Sequence, residues 1–130
     1  MESEAISDAQ IRASSQLDDN HSAGKARLHL ETNGNVTGGW SALQNDLDQW
    51  LQVDLGSYTT VTRIATQGRN AYNEWVTKYM LQYNDDGAIF HWFKEPGSSI
   101  AKVWVIEIIL LEGNQSSPLR NIVKCTSFGS

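Results

Sequence analysis

Gln49-Trp50-Leu51-Gln52-Val53-Asp54-Leu55-Gly56, a short turn, then Thr60-Val61-Thr62-Arg63-Ile64-Ala65-Thr66-Gln67-Gly68-Arg69 decide how this chain folds. Leu51, Val53 and Leu55 fall on one side of an extended chain, with Gln52 and Asp54 on the other. That period of two predicts a strand. Gly56 and Ser57 interrupt the run, and Val61, Ile64 and Ala65 resume it among Thr59, Thr60, Thr62 and Thr66. β-Branched side chains pack well on a pleated surface and poorly in helices, so a second strand is expected there.

The order of these pieces carries more information than their period. Residues 49–56, Thr66-Gln67-Gly68-Arg69, Trp75-Val76-Thr77-Lys78-Tyr79 and Tyr83-Asn84-Asp85-Asp86-Gly87 succeed one another at a spacing that resembles the discoidin family. These are the C-type domains of coagulation factors V and VIII, found also in neuropilins, discoidin-domain receptors and slime-mould discoidins. The resemblance starts near Ile6 and holds to about Phe93. It implies an all-β, discoidin-like jelly-roll sandwich with three loops, or spikes, projecting from one end to contact ligand. It also implies a non-catalytic adhesion or recognition module, and a disulfide that ties the chain ends.

With 130 residues, 40% hydrophobic and 19% charged, the chain is read as one globular domain, residues 1–5 being a loose entry segment and 98–130 atypical of the family. No window approaches the roughly 18 consecutive apolar residues of a membrane-spanning helix. Met1-Glu2-Ser3-Glu4 lacks the basic and apolar regions of a signal peptide. The chain is therefore read as a segment of a larger secreted, extracellular or cell-surface protein, or else as intracellular. A net charge of −5 disfavours nucleic acid and anionic lipid. Cys125 is the single cysteine, so the disulfide of the family cannot form within the chain.

The chain then falls into order. Residues 1–10 are polar with little periodicity, and Ile11, Ala13 and Ser15 alternate with Arg12, Ser14 and Gln16 as a short strand. Next comes the turn-forming stretch Leu17, Asp18, Asp19, Asn20, His21, Ser22, Ala23, Gly24, at the position of the first spike of the family. Its tip offers hydrogen bonds and negative charge, with Leu17 the one large apolar side chain. Arg27-Leu28 is expected to begin the next strand, by resemblance. Asn35-Val36-Thr37 is a glycan-acceptor sequon if the chain is secreted. The second spike is read at Gly38 to Leu43, its two glycines allowing positive-φ geometry and Trp40 standing where the family has a tryptophan. The third is Arg69, Asn70, Ala71, Tyr72, Asn73 and Glu74. Trp75 to Tyr83 is a strand, with Trp50 and Trp75 read as core, and residues 84–87 turn it into a hairpin with Phe90, Trp92 and Phe93.

Past Ile100 the resemblance breaks. Residues 103–111 form a near-continuous apolar run that reads as one buried strand, and the residues from there to Ser130 are too few for the closing strands of the family. A frame displaced by one base, or alternative splicing, after Lys102 would account for the break. On this reading the sandwich is truncated and leaves open sheet edges.

The loops supply the candidate chemistry. No serine elbow, His-Glu-x-x-His or phosphate loop is present, so no catalytic residue is assigned. Asp18 and Asp19 are the candidate calcium ligands, but the loop lacks the alternation and glycine of an EF-hand, and a solvated acidic tip is the simpler reading. Cys125, His21, His29 and His91 show no zinc spacing, and no cofactor or metal is assigned. The ligand-binding candidates are Leu17, Asp18, Asp19, Asn20, His21 and Trp40, together with Arg69, Asn70, Tyr72 and Asn73. Arg69 is read either as a pair for a carboxylate or sugar hydroxyl, or as a salt bridge to Glu74. Polar tips favour a cell-surface glycan or matrix protein over anionic phospholipid such as phosphatidylserine, with a ligand-free structural module as the competing reading.

Overall fold

The computed structural model describes residues 5–61, 63–69, 71–72, 74–84, 88–105, 111–112 and 119–129. Eight strands run in chain order through them: β1 Ile11–Ala13, β2 Gln49–Thr59, β3 Arg63–Ile64, β4 Trp75–Asn84, β5 His91–Trp92, β6 Val103–Val105, β7 Leu111–Glu112 and β8 Leu119–Gly129. Six of them form an antiparallel sheet in the order β1-β2-β8-β4-β5, with β6 also paired to β4. β3 and β7 make a separate two-stranded sheet. Ile64 of the small sheet packs on Tyr79 and Leu81 of the large one, which makes the arrangement a sandwich. The fold is the expected discoidin-like jelly roll.

Residues 51–55 lie in β2 as the alternation predicts, but only Leu51 among them is buried, Gln52 to Leu55 all being half-buried; Ile11, Ala23 and Leu51 form one core cluster. Trp40, Ile6, Ala13 and Ala26 cover it. β4 supplies the second cluster through Tyr79 and Leu81, joined by Val76 and Phe93. Burying a side chain of this size removes enough apolar surface to stabilise the fold by about 1.5–3 kcal/mol, so these few positions outweigh most surface contacts.

Several expectations are corrected. Gly56 does not end β2. It takes φ +75° inside a continuous strand, where its N–H donates to Asp54 Oδ1 (2.8 Å) and the pairing with β8 shifts register between Asp54 and Thr59. This is a bulge, which a glycine accommodates because a Cβ is disfavoured at positive φ. Residues 25–30 form no strand; a 3₁₀ turn at Ala23–Lys25 leads instead to an Arg27 whose Nη2 donates to the Ile6 carbonyl (2.8 Å) and to Asp8 Oδ1 (2.5 Å). The stretch before β1, read as having little regular structure, holds a 3₁₀ turn at Asp8–Gln10 in which Gln10 Oε1 accepts from the Ser7 N–H (3.0 Å). Trp75 is 43% exposed, not core, because it stands at the loop end of β4.

The largest correction concerns the C-terminal part. The apolar run is not one strand: β6 pairs with β4 in the large sheet, and β7 pairs with β3 in the small one. Nor are closing strands missing. β8 lies in the middle of the large sheet, with Thr126 opposite both Gln49 and Tyr79, and Val123 opposite both Gln52 and Gln82. The turn residues Asp85, Asp86 and Gly87 lie outside the described residues.

This packing has two measurable consequences. Proline cannot donate to a ladder and is excluded from central strands. Val123→Pro is therefore expected to unfold the domain, measured by loss of the near-ultraviolet tryptophan dichroism; a folded Val123→Pro protein would remove β8 from the sheet centre. Burial of Tyr79 pushes its phenol up to about 12, with a hydrogen bond to Thr66 opposing the shift. Its neutral form is the one the fold favours, so this contribution is intact below the ordinary phenol value of about 10 and is lost as pH rises through about 12. In an absorbance titration one of the four tyrosines should ionise last, together with alkaline unfolding, and Tyr79→Phe should remove that late step.

Candidate functional site

Register places all three loops at one end of the sheet. β1 pairs Ala13 with Leu51, so residues 14–48 leave the sheet where β2 begins. Thr126 faces both Gln49 and Tyr79, so the chain entering β4 at Trp75 comes from the same end.

The base of this end is a buried amide. Gln49 is 7% exposed; its Oε1 accepts from Ser14 Oγ (2.8 Å) and Ser15 Oγ (2.6 Å), and its Nε2 donates to Asp46 Oδ1 (2.8 Å). A buried amide left unpaired costs about 1–3 kcal/mol, so the three contacts fix the roots of both flanking segments. Above it the first and second loops are joined through their backbones. Leu17 N donates to the Ser41 carbonyl (2.8 Å), Ser41 N to the His21 carbonyl (3.3 Å), and Thr37 Oγ1 to the Asn20 carbonyl. Trp40 Nε1 donates to the Ser15 carbonyl (2.9 Å) while its ring covers the first core cluster. Trp40 is thus a wall of the site more than a tip. Gly38 and Gly39 do not adopt positive φ; among the described residues the positive-φ glycines are Gly34, Gly56 and Gly97. A Cβ at Gly39 would sit 3.5 Å from Arg69 Cγ, which shows how closely the second loop approaches the third. His29 N donates to Gln67 Oε1 (2.8 Å) and ties the third loop to the segment after the first.

In the first loop a 3₁₀ turn at Asp19–His21 is capped by Asp18, whose Oδ1 accepts from His21 N (3.1 Å) and contacts His21 Nδ1 (2.6 Å). That ring contact holds the Asp18 carboxyl below the usual carboxylate range. His21 is 8% exposed and its Nε2 is buried without a partner among the described residues, so the ring braces the loop from inside. Leu17, 49% exposed, and the exposed Asp18, Asp19 and Asn20 make the outer surface. Asp19 Oδ1 accepts from Gln16 Nε2 (3.3 Å). Among the described residues no three His, Cys, Asp or Glu side chains are grouped to hold a metal ion.

The third loop closes on itself. Arg69 N donates to the Glu74 carbonyl (2.8 Å), Arg69 Nη1 pairs with Glu74 Oε2 (2.7 Å), and Ala71 takes φ +66° at the tip. The Arg69 guanidinium lies 3.9 Å from the centroid of Tyr72, a cation–π contact, while the tyrosine remains 53% exposed. The salt bridge read from the sequence is present, and with it a stack that the sequence does not announce. Asn70 and Asn73 lie outside the described residues. Sequence reasoning missed Gln49, Gln67 and Gly39; a polar residue opening an apolar alternation, as Gln49 does, is the one available signal for such a buried knot.

A family model described as the F5/8 type C domain matches residues 10–114. The match runs past the break read at residue 100. Discoidin II of Dictyostelium discoideum superposes with a TM-score of 0.78 at 19% identity, covering 92% of this chain and 50% of its own. The chain thus spans about half the length of that protein. The family 32 carbohydrate-binding module of NanJ from C. perfringens, solved with galactose, gives 0.63 at 22% identity over 94% and 85% of the two chains. Chitosan-binding module 1 of a chitosanase/glucanase from Paenibacillus sp. IK-5 gives 0.61 at 20% over 92% and 83%.

Asp18→Ala is expected to release the His21 amide, seen as faster hydrogen exchange at that residue across the pH range. In the native chain the carboxylate is the favoured form, so this protection is present above the ordinary carboxylate range and is lost as pH falls through the lowered value of Asp18. An unchanged His21 exchange rate in the variant would show that the cap does not hold the loop.

Proposed function

The chain belongs to the F5/8 type C domain family, and from that premise we propose that it is a non-catalytic recognition module whose three-loop end binds a glycan. The observation that carries the reading is Tyr72, a half-exposed ring with the Arg69 guanidinium fixed against it. A pyranose presents C–H groups on one face and hydroxyls around its rim. An aromatic ring takes the first, and a guanidinium or a loop amide takes the second. Asn20 and Asp19, exposed on the neighbouring loop, add acceptors and a donor at the same end. The galactose complex and the chitosan-binding module among the structural neighbours support sugar as the ligand class.

Adhesion at a cell surface or matrix, outside the cell and within a larger protein, is the setting this reading proposes. Asn35 fits that setting: it is exposed beside Gly34 in a tight turn closed by Asn33 and Val36, where a glycan could be attached. The loop end is poorly suited to an anionic leaflet, since Asp18 and Asp19 oppose it and Arg69 is already paired with Glu74.

Titration of the folded domain with galactosides and chitosan oligosaccharides, beside co-sedimentation with neutral and phosphatidylserine vesicles, tests the proposal. Saccharide binding is expected, with Tyr72→Ala weakening it about tenfold, or about 1.4 kcal/mol, and Arg69→Ala doing likewise. Pelleting with anionic vesicles alone, with no saccharide response, would overturn it and make Leu17 and Tyr72 membrane contacts.

A further inference from the structure

The far end of the large sheet carries an open depression. β4 runs from Trp75 at the loop end to Asn84, and its last residues pair with β5, Gln82 opposite Trp92 and Tyr83 opposite His91. Tyr83 lies eight residues beyond Trp75, about 26 Å at roughly 3.3 Å per residue. There the depression, of about 430 Å³, is lined by Tyr83, Phe90, His91, Trp92 and Lys94. The Tyr83 and His91 rings lie 6.0 Å apart at 44°, and Trp92 is 38% exposed.

Three aromatic residues, an imidazole and an ammonium group meet here in a chain of net charge −5. Glu95, the acid next to Lys94 in sequence, is ion-paired with Lys102 across the loop that returns to the sheet where Lys102 N donates to the Phe93 carbonyl (3.0 Å). That pairing takes the nearest carboxylate in sequence away from Lys94, which is itself exposed. Aromatic faces suit the apolar side of a pyranose, and a positive charge beside them suits an acidic substituent.

We propose that this depression is a second saccharide site, distinct from the loop end, for a pyranose that carries a carboxylate, as a uronic acid does. Trp92 supplies the stacking face, and Lys94 with His91 receives the carboxylate. Asp85 and Asp86, between β4 and β5 in sequence, lie outside the described residues, and a neutral ester of the ligand reads the net charge that the ligand meets. With sites at both ends, one domain joins two glycans and gains the avidity of two linked contacts.

The test is an NMR titration of the intact chain with tetragalacturonate and, separately, with its methyl ester, which keeps the rings and removes the charge. The acid is expected to shift the Trp92 indole N–H and to bind at least tenfold tighter than the ester. Lys94→Gln should abolish that preference at this site, Trp92→Ala should abolish the ligand-induced shifts of the His91 ring, and Trp92→Phe should restore most of them. Tyr72→Ala should leave the Trp92 indole titration unchanged, which separates this site from the loop end and lets either reading fail alone. Equal affinity of acid and ester in the Trp92 titration, an unmoved Trp92 indole, or loss of the Trp92 shift in Tyr72→Ala would each overturn the proposal. Should Trp92→Ala fail to fold, the acid preference in Lys94→Gln decides.

Discussion

The ladder that joins β2, β8 and β4 is the constraint on which the remaining structure depends. β2 and β4 do not pair with one another; each pairs antiparallel with β8, and through β8 they are held parallel and in register. The two core clusters sit on different strands of this trio, one on β2 and one on β4. The shared pairing with the middle strand fixes their separation. The placement of the loops comes from the same register, because Gln49 and Tyr79 are level only through Thr126.

The loop end is then built mainly from hydrogen bonds, not apolar contacts. Loops rarely bury large hydrophobic residues, and their backbone groups must find partners near the surface. Here the partners come from neighbouring loops, as with Leu17 and Ser41, Ser41 and His21, and His29 and Gln67. Each such bond contributes only about 0.5–1.5 kcal/mol net, but together they set the spacing of Asn20, Trp40 and Tyr72. Gln49 joins this network to the strand beneath it, so the loop end and the sheet are ordered together.

Much of this was legible in the sequence, and unevenly. Period two in residues 51–55 and in β4 marks half-buried strands, and the structure keeps both. β8 was hard to see because Leu119–Gly129 mixes Arg120, Asn121, Lys124, Thr126 and Ser127 among its apolar residues, while the apolar run before it has the look of the closing strand. Continuous hydrophobicity marks burial without fixing where a strand starts or which sheet it joins. Gly56 misled for a related reason: a glycine in a strand reads as a stop, yet a bulge uses the same residue to continue. At the site, the Arg69–Glu74 salt bridge was one of two readings the sequence left open, and it is present. The burial of His21 was not legible, since it depends on Asp18 turning back to cap its own 3₁₀ turn, which composition cannot reveal.

Electrostatics supports the choice of ligand proposed for the loop end. An anionic leaflet rewards each unpaired basic side chain near its surface by about 1 kcal/mol. Arg69 meets Glu74 and Arg27 meets Asp8, so both arginines bring a carboxylate with them and their long-range attraction largely cancels. What survives pairing is directional. A guanidinium has five N–H donors and a carboxylate occupies only part of that fork. Arg69, held by Glu74 on one side and stacked on Tyr72 on the other, is oriented before any ligand arrives, which lowers the ordering cost of a short-range hydrogen bond. Sugar hydroxyls, neutral and rigidly spaced, make use of orientation far more than of net charge, and the polar loop end matches them on that ground.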